Sequence, residues 1–174
     1  MGIHIVIDGY NFIRQSHRFS DLDRQDLQSG REALVEALAA YKRIKSYAMT
    51  VVFDGTDAPA GMPRRDYQRG IKLCYSAPGE SADTVIKRMA TVEKEKMLVV
   101  TSDNDIVRYC ESMGAAVIGS PEFEDRLMMA QYMDLKGADD HEEDGGWQPS
   151  TKKKGPCRRL TKRQRKLNRK LSKL

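Results

Sequence analysis

Three short runs, Ile3-His4-Ile5-Val6-Ile7, Thr50-Val51-Val52-Phe53 and Met97-Leu98-Val99-Val100, are almost continuously apolar. A strand with one wet face alternates apolar and polar residues, so runs like these fit strands buried on both faces. Such strands need a layer of helices on each side. Ile71-Lys72-Leu73-Cys74-Tyr75 and Ala115-Ala116-Val117-Ile118 read as two further strands. Between them, Leu34, Leu38, Tyr41 and Ile44 keep helical spacing, as do Ala82, Val85, Ile86 and Met89. Ser29 with Glu32 and Ser102 with Asp105 have the spacing of capping boxes. Ser120-Pro121 predicts the start of a helix through Phe123, Leu127 and Met128. This alternation predicts an α/β fold, three-layered α/β/α, with a central, mainly parallel sheet. Asp54 to Gly70, with Pro59, Gly61 and Pro63, reads as a long loop. After Lys136 the periodicity stops, and Gly137 to Pro156 reads as a linker.

The charge is divided along the chain. The 174 residues hold 30 Lys+Arg and 25 Asp+Glu, for a net charge of +5. Twelve of the basic residues and no acid lie in 151–174, which leaves 18 basic against 25 acidic residues in 1–150. Five of those acids sit together in Asp139–Asp144. The expected organisation is a body at 1–136, an acidic linker at 137–150 and a basic tail at 151–174. A body of roughly 135 residues suits one domain with its own core.

Several classes are poor fits. No apolar run approaches the roughly 20 residues of a membrane span. Asp8 comes too early for a secretory signal peptide. Cys74, Cys110 and Cys157 lie far apart, so reduced thiols and a cytoplasmic setting are expected, with Cys74 and Cys110 as small core residues. Ser172-Lys173-Leu174 formally matches a peroxisomal address, although a tail of Lys, Arg, Leu and Ser reaches it readily by coincidence. Neither a GxxxxGK[ST] loop nor GxGxxG occurs, and position 10 is Tyr where a HAD-type phosphatase needs Asp. His4 and His17 have no natural place as a general base.

The chemistry is carried by where the acids fall. Asp8 ends the first strand, Asp54 follows the second, and Asp103 and Asp105 follow the strand at 97–100. Glu80 and Asp83 open the helix after the strand at 71–75. In an open parallel sheet the carboxyl ends of the strands share one edge, where ligands collect. Each acid has an ordinary alternative: turn chemistry at Asp54, a cap at Asp105, helix-dipole complementation at Glu80 and Asp83. Together they would repel one another and call for a cation, and an all-oxygen set suits Mg²⁺ or Mn²⁺. Such ions can hold a phosphodiester and lower the pKa of an attacking water.

In order, Ile7-Asp8-Gly9-Tyr10-Asn11, Val52-Phe53-Asp54, Glu80-Ser81-Ala82-Asp83 and Thr101-Ser102-Asp103 resemble the YacP-like NYN domains of the PIN-like nuclease group, over roughly residues 3–133. The resemblance implies metal-dependent cleavage of RNA by an endoribonuclease, with ribosome-associated substrates among relatives. By motif it implies Asp8, Asp83 and Asp103 as principal metal ligands, with Glu80, Asp105 and Asp54 as further acids. It gives Asn11 a role in orienting Asp8 or touching substrate; capping the following helix is the alternative. A non-catalytic RNA- or ribosome-binding adaptor with the same fold is the competing function, though an adaptor has no need of mutually repelling acids.

For phosphate contacts, the body offers Arg14, Arg64, Arg65, Arg69 and Lys72, and more weakly Arg18. Tyr10 and Tyr67 are rings that could stack on bases or simply pack. The tail offers Lys152, Lys153, Lys154, Arg158, Arg159, Lys162 and Arg163, followed by Arg165, Lys166, Arg169, Lys170 and Lys173. Its composition predicts disorder in isolation, while Leu160, Leu167, Leu171 and Leu174 predict a basic amphipathic helix on a partner. RNA or the ribosome is the favoured partner. An anionic membrane surface is the alternative, weakened by the lack of Trp and Phe in the tail.

Overall fold

A computed structural model of the chain describes residues 2–58, 61, 63–137, 169 and 172. The linker from 138 and the basic tail, apart from Arg169 and Ser172, lie outside the described residues. The strands are β1 (His4–Asp8), β2 (Ala48–Phe53), β3 (Arg65–Gln68), β4 (Ile71–Tyr75), β5 (Met97–Val100) and β6 (Ala116–Ile118). The helices are α1 (Gly9–Gln15), α2 (His17–Gln25), α3 (Leu27–Ile44), α4 (Ala82–Glu93), α5 (Asn104–Ser112) and α6 (Ser120–Gly137). They make one six-stranded sheet in the order β3-β4-β2-β1-β5-β6. Every neighbouring pair is parallel except β3–β4.

The apolar runs explain the layers. Ile5, Val6 and Ile7 of β1 are fully buried between β2 and β5. Successive strand residues face opposite sides of a sheet. Ile5 and Ile7 therefore join Phe12, Leu34, Leu38, Tyr41, Phe123 and Leu127 beneath α1, α3 and α6. Val6, Val52 and Val99 join Val85, Ile86, Ala90, Ile106 and Cys110 beneath α4 and α5. Each large side chain withdrawn in this way contributes roughly 1.5–3 kcal/mol. The three-layer α/β/α expectation is met. Among the described residues, no helix is long and apolar enough to cross a membrane.

Three expectations are revised. The loop at 54–70 contains a 3₁₀ turn (Gly55–Asp57) and the edge strand β3, which pairs with β4 in register Gln68↔Ile71. The β3 residues Arg65-Asp66-Tyr67-Gln68 have no apolar alternation because this edge faces water. Its two-residue turn, Arg69-Gly70, has φ of 51° and 79°. A tight hairpin needs such positive values and usually takes them from Asn-Gly, which hid the turn. The helix caps also differ. Asp26, not Ser29, caps α3, accepting from the Ser29 N–H at 3.0 Å. Asp103, not Ser102, caps α5. A carboxylate, one turn earlier at α3 and one residue later at α5, supplies the acceptor for the free N–H groups. Of the two cysteines expected in the core, Cys110 is fully buried but Cys74 only partly.

Gly9, directly after Asp8, packs under the ring of Phe53: a Cβ there would stand 2.3 Å from Phe53 Cε1. Gly9→Ala should lower stability by about 1–3 kcal/mol through overpacking. The measurement is a shift in the urea midpoint at constant m-value, and an unchanged midpoint would show that the Phe53 ring yields freely.

Candidate active site

Because β1, β2 and β5 run in one direction, the residues that follow them emerge at one edge. Asp8 closes β1, Asp54 follows β2, and Thr101 to Asp103 follow β5. The chain passes from β1 to β2 and β4 on one side, then returns to β5 on the other, so the strand order reverses beside β1. Crevices form at such reversals. Here it is a cavity of about 390 Å³ holding Asp8, Asp54, Asp83 and Asp103, with Asn11, Arg14 and Gln15 along α1.

Asp8 is only 6 % exposed. It caps α1, accepting from the Asn11 N–H at 3.4 Å, and takes a second bond from the Thr101 hydroxyl at 3.2 Å. Burial nevertheless pushes its pKa up to about 6; the Thr101 and Asn11 bonds oppose this, and the charges of Asp83 and Asp103 add to it. Asp83, in the first turn of α4, is also raised, by burial and then by Asp103, with Lys87 pulling the other way. Asp103 accepts from the N–H groups of Asp105 (2.8 Å) and Ile106 (3.3 Å). Asp54 caps the 3₁₀ turn, and its bonds from Thr56 hold its carboxyl below the usual range.

Two of the expected acids stand apart from the cavity lining. Glu80 pairs with Arg88, which lowers its pKa, and Asp105 pairs with Lys87. The cations come from α4 itself, at positions the motif reading did not consider. Asn11 is a clamp: its Oδ1 accepts from the Ser102 N–H (3.0 Å) and the Ser120 hydroxyl (3.1 Å), joining α1 to the β5–α5 loop and to α6. Thr101 was also overlooked. Its hydroxyl donates to Asp8 and accepts from the Asp103 N–H at 3.1 Å, so one side chain sets two of the acids. A hydroxyl just before Ser102-Asp103 was the available signal.

The basic residues divide by strand end. Arg14 lines the cavity, its guanidinium 5.4 Å from the Tyr10 ring centre. Arg64 and Arg65 stand at the carboxyl end of β4, opposite Tyr75 and Cys74, on the same edge as the acids. Arg69 and Lys72 belong to the other end of β4, and Arg69 pairs with Glu36 at 3.3 Å. Tyr10 is core, packed on Phe53 and bonded by Arg31 at 2.7 Å, whereas Tyr67 is 70 % exposed. Lys152, Lys153, Lys154, Arg158, Arg159, Lys162 and Arg163 lie outside the described residues.

Among the described residues, no three His, Cys, Asp or Glu side chains are drawn together closely enough to hold an ion. Asp8 and Asp83 are both raised, chiefly by burial and partly by Asp103, so these carboxylates repel one another. The donor set is all oxygen, partly buried and excessively negative, which suits a hard divalent cation.

The YacP-like NYN domain model matches residues 5–171. The chain belongs to that family. The match continues into the basic segment, well past the end of the motifs near residue 133, so the family pattern includes part of the tail. A Bacillus subtilis strain 168 protein, "Uncharacterized protein YacP", is 24 % identical over 86 residues, 49 % of this chain and 50 % of that protein. The alignment thus spans about half the length of this curated relative. The crystal structure of Rae1 (YacP) from Bacillus subtilis superposes with a TM-score of 0.69 at 21 % identity, covering 80 % of each chain. A mutant of the same protein gives 0.62 at 22 % identity, over 75 % of this chain and 78 % of that one. These structures have the same fold. The NYN family belongs to the PIN-like nuclease superfamily, and NYN nucleases typically use divalent metals.

In the metal-free protein, raising pH through the window from about 4 to 6 should cost stability, because folded Asp8 holds its proton more tightly than the unfolded chain does. Above that window the penalty is on the order of 2–3 kcal/mol. Asp8→Asn should therefore be more stable than wild type at pH 7.5 in EDTA. Thermal unfolding across pH 4–8 measures this; a variant that melts lower throughout would refute it.

Proposed function

We propose that this chain is a metal-dependent endoribonuclease that hydrolyses RNA phosphodiester bonds at the carboxyl edge of its sheet. The observation that carries the reading is the convergence of Asp8, Asp83 and Asp103 on one cavity with Arg14 beside them. Those three carboxylates would hold Mg²⁺ or Mn²⁺, with Asp54 on the rim and Glu80 and Asp105 drawn off by Arg88 and Lys87. The bound ion would supply an activated water and charge neutralisation at the phosphate. Arg14 meets the phosphodiester, and Arg64 and Arg65 extend the path of positive charge along the same edge. Tyr67, exposed on β3 beside Arg65, offers a ring to an unstacked base. Asn11 acts as a positioning residue through the loop that carries Asp103. Residues 1–136 form the nuclease body, 137–150 an acidic linker, and 151–174 a basic arm for RNA, including ribosome-associated RNA, in the cytoplasm.

Asp83→Asn should lower cleavage of a structured RNA in Mn²⁺ by on the order of 100-fold or more, and EDTA should abolish it. Cleavage that persists in both cases would remove the mechanism. The open spacing of the acids gives the adaptor reading its footing. It prevails if the wild type binds RNA in Mn²⁺ without cutting it. Deleting 151–174 should weaken RNA binding and flatten its salt dependence. A wild-type slope of about −4 in log affinity against log salt is expected if roughly six tail charges meet single-stranded phosphates. An unchanged slope would remove the arm's role.

A further inference from the structure

Helix α6 is apolar on two opposite sides. Phe123, Leu127 and Ala130 are buried against the body. Met128, Met129 and Met133 are 52 %, 63 % and 55 % exposed, and Tyr132 lies among them at 59 %. At 3.6 residues per turn these four positions share about 140° of arc, facing away from the buried stripe. Ordinary surface helices keep polar residues on that side, and a helix apolar on both sides is normally sandwiched. The same outer face carries the exposed acids Glu122 and Asp125 toward its N-terminal end.

We propose that this face is the docking site of the chain's own C-terminal segment, residues 160–174. Leu160, Leu167, Leu171 and Leu174 fall within about 60° of arc on a helix, with Lys and Arg elsewhere around it. Arg169 is helical, and the Ser172 hydroxyl donates to its carbonyl at 3.1 Å. Glu122 already pairs with Arg126 of the same helix at 2.9 Å, and the segment's basic residues complement Asp125 beside it. Reach is no obstacle, because the residues between Gly137 and Leu160 can span roughly 70 Å when extended. The family match extends from the body to residue 171, within this segment. Docked by its leucines, the segment buries its apolar stripe on the methionines and leaves most of its cations facing outward. The inference holds whether or not the chain cleaves RNA.

Amide hydrogen exchange of the full chain tests it. Residues 160–172 should exchange at least about tenfold more slowly than an unstructured peptide. The protection should survive 0.5 M KCl, since apolar contact is not screened by salt. A Met129→Asp/Met133→Asp variant and a Leu167→Asp/Leu171→Asp variant should each lose it while protection of the sheet is unchanged. Coil-like exchange in the wild type, or protection that vanishes in salt or survives the methionine substitutions, would overturn the proposal. Protection that rises with protein concentration would also overturn it, placing a second copy on the face instead.

Discussion

The burial of Asp8 at the end of the central strand is the constraint around which the rest of this edge is arranged. Ile5, Val6 and Ile7 are sealed on both faces, so β1 has no freedom to withdraw its terminal carboxylate into water. The charge is tolerated because the Thr101 hydroxyl and the Asn11 N–H donate to it, yet its pKa remains near 6. Two further acids, Asp83 and Asp103, are brought close enough to raise the cost. A fold selected only for stability gains nothing from this crowding, whereas a hard cation would relieve it.

A polar network keeps the edge in place. Asn11 joins α1 to the β5–α5 loop and to α6, and Thr101 couples Asp8 to the Asp103 N–H. These bonds tie three elements from distant parts of the chain to one set of oxygens. On the flank, Lys87 and Arg88 of α4 neutralise Asp105 and Glu80, leaving the cavity to Asp8, Asp54, Asp83 and Asp103. The positions of these acids thus depend on neighbouring side chains that hold them from behind.

Much of the architecture was legible in the residues because burial on both faces leaves a plain apolar signature. β1, β2 and β5 carry it, while β4 and β6 show as shorter apolar runs and the long helices by their helical spacing. β3 does not, because an edge strand is wet and its turn uses Arg69 in a conformation more often filled by Asn or Gly. The acids were legible as a set because each follows a strand or opens a helix. Their sorting was legible only through the family resemblance, which put Asp83 ahead of Asp105; that Lys87 takes up Asp105 is visible only in the structure. The basic residues were the least legible. Arg65 and Arg69 are four residues apart but belong to opposite ends of the hairpin.

By itself, then, the sequence determined the α/β class, the parallel core, the order of the acidic motifs and the separation of a basic tail from a nearly neutral body. These follow from local patterns of polarity and charge, which need no knowledge of what lies across the sheet. Only the tertiary structure decided which acids share a cavity, which are taken up by Lys87 and Arg88, and why Asn11 is a clamp. It also decided that α6 turns three methionines to solvent. Those outcomes depend on distances between residues far apart in the chain, where burial and neighbouring charge, and not residue type, set what a side chain can do.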